Sequence, residues 1–481
     1  MLAQVGTRHL KHRNPGFTEP LSGRPVQPKE RVLAVTLSSN QQGGFLDALP
    51  LSYYQIWSVL MIAATVVLDG LDNQMLGLAA PSLLAEWSIS RDTLGMVFAL
   101  GFVGMAIGTI VSGVIGDLFG RRGALLMGVG IFGVATLLTG LSTALWQVAL
   151  LKFLAGVGLG GVPGTASAMI AEFTPARWRS QAVTFGVVCV SIGGVLGGLA
   201  AALILPTLGW RWLFYLGGGI TMAFVAYLWS VLPESPQYLL DRRHRRAEFE
   251  KVMTRIGHPD PAGVVPHGTH GEAEKLPFST LFGAAHRRDT LALALAMFSG
   301  MFMIYLMFNW APTMLTSSGY DLQAASLGLT SFNMGGVIGA MLASFAIIRL
   351  GSRITLVAMA TVGTLVCGVL AVLPMTDGGN ETAMLGLLVA MGLFASAAQS
   401  AMFAVGAHAF PTGVRARGLG TMGVAGRAGA IVSAVAGAWL IGGGPQTFFG
   451  ALAGLMLVNA VGFLVVRSHI PRLVRKQEVP A

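Results

Sequence analysis

Four ionisable residues stand where the sequence is otherwise apolar. Asp69 and Asp72 lie in MIAATVVLDGLDNQMLGLAAPSLLAE (Met61–Glu86), Lys152 in LLKFLAGVGLGG and Arg427 in GVAGRAGAIV. Three residues apart on a helix, the two Asp share one face with Cβ atoms about 5 to 6 Å apart. Each costs about 2.5 to 3.5 kcal/mol near the middle of a spanning helix, so neither can face lipid. Two carboxyls this close resist ionising together, and one is expected to hold an exchangeable proton; beside a water-filled cavity the pair is a proton carrier. The plainer alternative, an acid capping a helix break or bonding a neighbouring Ser or Thr, suits one acid better than two flanking Gly70. Arg427 brings a guanidinium that keeps its charge at any relevant pH and can grip a carboxylate bidentately. Its chemistry is recognition of an organic anion, or else an ion pair with Asp69 or Asp72; both hold if substrate displaces the pair. Lys152 needs a buried acid or a water route.

The elements that must position these groups follow from composition. Of 481 residues, 54% are hydrophobic and 11% charged, and the mean hydropathy is +0.68. Apolar runs of 18 or more residues recur, each able to cross a hydrocarbon core about 30 Å thick as a helix. The class is an all-α polytopic membrane protein. Twelve transmembrane helices are expected near 54–78, 94–115, 123–142, 146–170, 181–205, 212–232, 289–314, 323–348, 353–374, 383–408, 417–441 and 447–467. Ten residues from Arg417 place Arg427 about 15 Å into its span, and Asp69 is similarly deep in the first, so the two are expected to face one central cavity from opposite halves.

The net charge of +10 is explained by topology rather than by nucleic acid. Arg91 and Arg211 fall on the side away from the termini, Lys152 and Arg427 fall within spans, and the other 27 of the 31 Lys and Arg lie on the side of the termini. This positive-inside asymmetry places both termini in the cytoplasm. The expected segments are an N-terminal tail 1–53, a six-helix half 54–232, a linker 233–288 with an amphipathic helix over Asp241–Arg255, a second half 289–467 and a tail 468–481. The halves read as repeats: EFTPARWRSQ follows span four and AFPTGVRARGLG follows span ten, while GDLFGRRG between spans two and three answers to RLGSR between eight and nine. Two six-helix bundles then enclose a site near the midplane.

Cys189 and Cys367 fall in apolar runs and offer neither a disulfide framework nor a CxxC site. GVGLGG (Gly156–Gly161) continues an apolar helix, follows no strand and reads as helix packing, as does SIGGVLGG in span five. His408, at the end of span ten, reads as interfacial. Asn309 and Trp310 are expected to break span seven just before Pro312, which with Phe308 reads as a Pro-kinked helix whose aromatics pack or sit at the interface. HExxH, P-loop Lys and nucleophile-elbow patterns do not occur. The chain reads as no enzyme, with no cofactor or metal and a proton gradient as the energy source.

GDLFGRRG (Gly116–Gly123) resembles the loop signature of the major facilitator superfamily. The resemblance implies the major facilitator fold and a gating role for Asp117, Arg121 and Arg122, with Glu172, Arg177 and Arg179 as partners across the closed cytoplasmic side. DGLDNQMLGLAAPSL (Asp69–Leu83) is similar to the pattern of the aromatic acid/proton symporters, and so are KFLAGVGLGG, LPESPQYL, NWAPTML and FPTGVRARGLG. Relatives of this kind often carry Arg where Lys152 stands, and the Gly-Pro pair of proton-driven exporters is missing from span five. The likeness implies an inner-membrane importer of an aromatic or similar organic carboxylate. Asp69 and Asp72 would couple protons, Arg427 would bind substrate, and Asn309 and Trp310, with Phe308, would offer the substrate an aromatic wall with a polar handle. Its partners would be a small organic anion, protons and lipid, without nucleic acid, and the chain would act as a monomer. A symporter for a sugar acid, an exporter and a non-transporting sensor are the alternatives.

Overall fold

The computed structural model describes residues 46–47, 49–264, 277–375, 380–411 and 413–472. Most of the N-terminal tail, residues 265–276 of the linker and 473–481 of the C-terminal tail lie outside them. Twelve helices are long and apolar enough to cross a membrane. In the first half they are α1 (Tyr53–Trp87), α2 (Arg91–Phe119), α3 (Arg121–Thr139), α4 (Leu145–Phe173), α5 (Ala176–Ile204) and α6 (Trp210–Val231). Two short helices follow, α7 (Pro236–Leu240) and α8 (Arg246–Ile256), the latter beginning five residues later than expected. The second half holds α9 (Arg287–Ser317), α10 (Leu322–Leu350), α11 (Ser352–Val372), α12 (Glu381–Ala409), α13 (Arg415–Gly442) and α14 (Gly444–Val465).

Pairing within the halves is repeated. α1 packs on α5, α2 on α4 and α3 on α6; in the second half α9 packs on α13, α10 on α12 and α11 on α14. The halves meet through α5 and α10, α2 and α13, and α1 and α9. Small residues bring the partners close, as expected where lipid supplies no hydrophobic drive between helices. A Cβ on Gly70 would collide with the Val190 carbonyl of α5, and one on Gly193 with the Val67 carbonyl of α1. With Gly70 against α5, Asp72 turns toward Thr136 of α3 and Lys152 of α4.

Two expectations about helix ends are corrected. α1 runs nine residues past 78, through Pro81, and ends where Ser88 takes a left-handed conformation, φ 49°. The expected break at Asn309 and Trp310 does not occur: α9 continues through Pro312 to Ser317. Pro312 has no N–H for the carbonyl of Phe308, and that carbonyl lies against Gly77, where a Cβ would strike it. Close approach of α1 shelters the freed carbonyl from lipid, so the helix has no need to break.

Contacts between the halves concentrate on the side away from the termini, here the far side. Gly77 lies on Phe308 and Asn309, and Gly95 on Ala434 and Trp310. The Arg91 guanidinium donates to Ser317 Oγ at 3.1 Å. Gln74 and Asn333 exchange amide hydrogen bonds of 3.1 and 2.7 Å between α1 and α10. Toward the side of the termini, Gly113 of α2 and Gly420 and Gly423 of α13 have open space where a Cβ would project.

Candidate functional site

Asp69 and Asp72 are 2% and 3% exposed and lie near the middle of α1. Their environments differ. Asp72 accepts a hydrogen bond from Thr136 of α3 and has the Lys152 ammonium of α4 at 4.0 Å from Oδ2. Asp69 Oδ1 has no hydrogen-bond partner, and neither has Asp72 Oδ2, which the Lys152 ammonium reaches by charge alone. It has Asp72, Arg427 and Lys152 within electrostatic range. The buried acid that Lys152 requires is therefore Asp72, a partner 80 residues away that its sequence neighbourhood does not reveal.

A small cavity opens beside this cluster, lined by Asn73, Phe102, Met105, Lys152 and Asn309 among others. Asn309 is 3% exposed and its Nδ2 has no acceptor, so an amide donor faces the cavity unused. Phe102 packs edge-on to Tyr305, with centroids 4.6 Å apart, and supplies an apolar wall. Sequence reasoning missed Phe98 and Phe102; their spacing of four on α2, matching Tyr305 and Asn309 on α9, is the signal that marks one face of each helix.

The other substrate candidates are placed less directly. Arg427 is half-buried on α13 with Nη1 3.5 Å from Met105 Sδ, so Met105 stands between the guanidinium and the cavity. Among the described residues no carboxylate comes within 4.0 Å of Arg427. Trp310 is fully buried, donates Nε1–H to the Ala434 carbonyl at 3.0 Å and packs edge-on to Phe98. It seals the halves together one residue layer behind the cavity.

The charged loop builds a second cluster. Arg121 reaches Asp117 at 3.0 Å and Glu172 at 3.9 Å. The Arg122 backbone N–H donates to Glu234 at 2.9 Å, and its guanidinium donates to the Trp229 carbonyl. Glu172 accepts from Ser235, Tyr238 donates to the Leu118 carbonyl at 3.0 Å, and Arg242 donates to the Asp117 carbonyl at 2.9 Å. Gly120, with φ 105°, is required twice: the backbone is left-handed, and a Cβ would fall on the Glu234 carboxylate. The segment after α6 thus clamps the α2–α3 loop, and every partner belongs to the first half or the linker. Arg177 is exposed without an ion pair among the described residues, while Arg179 pairs with Asp47 at 3.6 Å. Glu234 was visible only as part of LPESPQYL; its role depends on how that segment folds back.

With this geometry in view, the relatives are informative. The profile of the Major Facilitator Superfamily matches residues 62–332 and 321–480. The chain belongs to the major facilitator superfamily and is a transporter rather than an enzyme. It is 34% identical over 431 residues to the 4-hydroxybenzoate transporter PcaK of Pseudomonas aeruginosa, covering 88% of this chain and 94% of that protein. It is 32% identical over 435 residues to a gallate transporter of Pseudomonas putida, with coverage of 88% and 94%. Among solved structures, a D-xylose-proton symporter matches with a TM-score of 0.63 at 19% identity, over 88% of this chain and 99% of that one. A bacterial homologue of the human lysosomal transporter Spinster, in an inward-facing conformation, matches with a TM-score of 0.59 at 15% identity, over 87% and 95%. These two likenesses speak to the fold.

Proposed function

We propose that this protein imports an aromatic carboxylate across the inner membrane together with protons, by alternating access. The observation that carries the proposal is the buried cluster of Asp69, Asp72 and Lys152 at mid-depth, whose Lys152 lines a cavity walled by Phe102 and the free Asn309 amide. Asp69 takes the proton, because Asp72 is already engaged by Lys152 and Thr136. The substrate carboxylate goes to Arg427 once Met105 moves aside, Asn309 orients the substrate, and Trp310 holds the wall behind it. Neutralising both charges lowers the barrier to rocking the halves, and opening toward the cytoplasm releases both. The names of the relatives support a hydroxylated benzoate as the substrate.

The asymmetry of Lys and Arg supports cytoplasmic termini, which makes the far side the periplasmic one and this conformation inward-facing. Asp117, Arg121, Arg122 and Glu172 hold the cytoplasmic end of the first half as one body, with Arg177 free to engage when that side closes. A proton gradient drives the cycle without a cofactor, and the chain works as a monomer. The test is uptake of 4-hydroxybenzoate by proteoliposomes under an imposed pH gradient, with proton movement recorded in parallel. Accumulation with matching proton influx is expected. Accumulation indifferent to the gradient would remove the coupling, and uptake of neutral sugars in place of aromatic acids would remove the substrate class.

A further inference from the structure

Above the seal between the halves lies a cleft of about 780 Å³, separate from the central cavity. Its walls come from both halves: Pro81 of α1 and Arg91 of α2 on one side, Thr313 and Ser317 of α9 and Asp321 and Gln323 at the start of α10 on the other. Two cations stand on this side of the molecule. Arg211 is neutralised by Glu86 at 2.8 Å and lies over the Trp210 ring. Arg91 has no carboxylate within 4.0 Å among the described residues and makes a single side-chain hydrogen bond, to Ser317. One turn further along the same face of α9, Thr313 is 2% exposed and its hydroxyl has no partner. Asp321 spends one carboxylate oxygen on the Ala324 N–H at 2.7 Å, capping α10. An unneutralised guanidinium, an idle buried hydroxyl and an acceptor thus line one water-accessible cleft whose remaining wall is largely apolar.

We infer that this cleft is a vestibular binding site for hydroxylated aromatic carboxylates, with Arg91 holding the carboxylate and Thr313 and Asp321 available to the ring hydroxyl. The inference rests on the proposed function for its ligand class, but the site is distinct from the one beneath the seal. Because the Arg91 contact to Ser317 joins α2 to α9, an anion on Arg91 competes with that contact and loosens the far-side closure. The vestibule would therefore both gather substrate and favour the opening that admits it to the cavity.

The test uses full-length protein carrying Gln323→Cys, an exposed wall position, labelled from outside by a membrane-impermeant thiol reagent; Cys189 and Cys367 are buried. 4-Hydroxybenzoate is expected to slow labelling, and 4-hydroxybenzyl alcohol, which lacks the anion, is not. Adding Arg91→Gln is expected to weaken protection about tenfold or more, the value of one charge-assisted hydrogen bond. Adding Arg427→Gln is expected to leave it intact. Protection lost with Arg427→Gln but kept with Arg91→Gln would mean a signal relayed from the central site, and the vestibule would be overturned. Absence of protection in the Gln323→Cys protein would overturn it too. Protection without any uptake would instead count against the transport reading and leave the vestibule standing.

Discussion

The two halves share a helical plan but store polarity in different chemical forms. In the first half Asp69, Asp72 and Lys152 put ionisable groups at mid-depth on α1 and α4. In the second, among the described residues, the one buried acid, Asp289, lies at the end near the termini; deeper in, the buried polar groups are hydroxyls and the amides of Asn309, Asn333, Gln399 and Asn459, with Arg427 as the charge. Amides keep one charge state at any pH and arginine keeps its own. In the proposed cycle the proton chemistry would fall to one half and orientation of the ligand to the other, with rocking of one against the other linking the two.

The same contrast recurs at the ends near the termini. Gly120 and Gly351 occupy equivalent turns with positive φ, and each receives the segment that follows the last helix of its own half. In the first half that segment brings Glu234, which also lies 3.9 Å from Arg245. In the second it brings backbone: the Ser352 N–H donates to the Ile470 carbonyl at 2.9 Å, and His469 bonds the Ser352 hydroxyl at 3.1 Å. Asp289 accepts from the backbone N–H groups of Arg467 and Ser468. The first clamp sets charged side chains against one another as well as against backbone, whereas in the second the carboxylate of Asp289 meets backbone N–H groups.

The sharpest way to break this comparison is Asp69→Asn. Loss of all uphill accumulation is expected while downhill exchange of labelled substrate persists; retained accumulation would move the proton elsewhere. Asp72→Asn acts on stability as well, because it strands the Lys152 ammonium. Loss of one partner from a buried pair costs about 3 to 5 kcal/mol, and the double variant Asp72→Asn with Lys152→Met should recover much of the melting temperature without recovering transport. Arg427→Lys keeps the charge and loses the bidentate fork, so KM for the carboxylate should rise about tenfold with a smaller change in kcat. A larger effect on a neutral analogue than on the acid would sink that role.

Smaller effects test the clamps. Gly120→Ala should slow transport more than Arg177→Ala, since a side chain at 120 meets Glu234 while the exposed Arg177 makes no ion pair among the described residues. At the second clamp, burial foremost and the neighbouring Arg353 hold the His469 imidazole below its ordinary value. A group depressed in the folded protein contributes stability above its unfolded value, about 6.5, and loses it as pH falls through the folded one. Melting temperature should thus drop below about pH 6.5 by a small increment absent from His469→Gln; an equal drop in both would assign the acid sensitivity to other groups.

Much of the site was legible because membrane insertion makes a buried charge costly wherever it occurs. Asp69, Asp72, Lys152 and Arg427 stand out against apolar runs without knowledge of any neighbour, and the twelve spans follow from the same contrast. What could not be read was pairing. Lys152 pairs with Asp72, and Glu234 rather than Arg177 engages the basic loop, because the rotation of each helix and the path of the segment after α6 are set by packing between distant residues.

By itself, then, the sequence determined which segments lie in the membrane and that α1 carries two acids on one face, since solvation and helical period are local. Tertiary structure alone decided that these twin acids are unequal. Thr136 and Lys152 converge on Asp72 from α3 and α4, whereas among the described residues Asp69 has neither a hydroxyl donor nor an ammonium at such range.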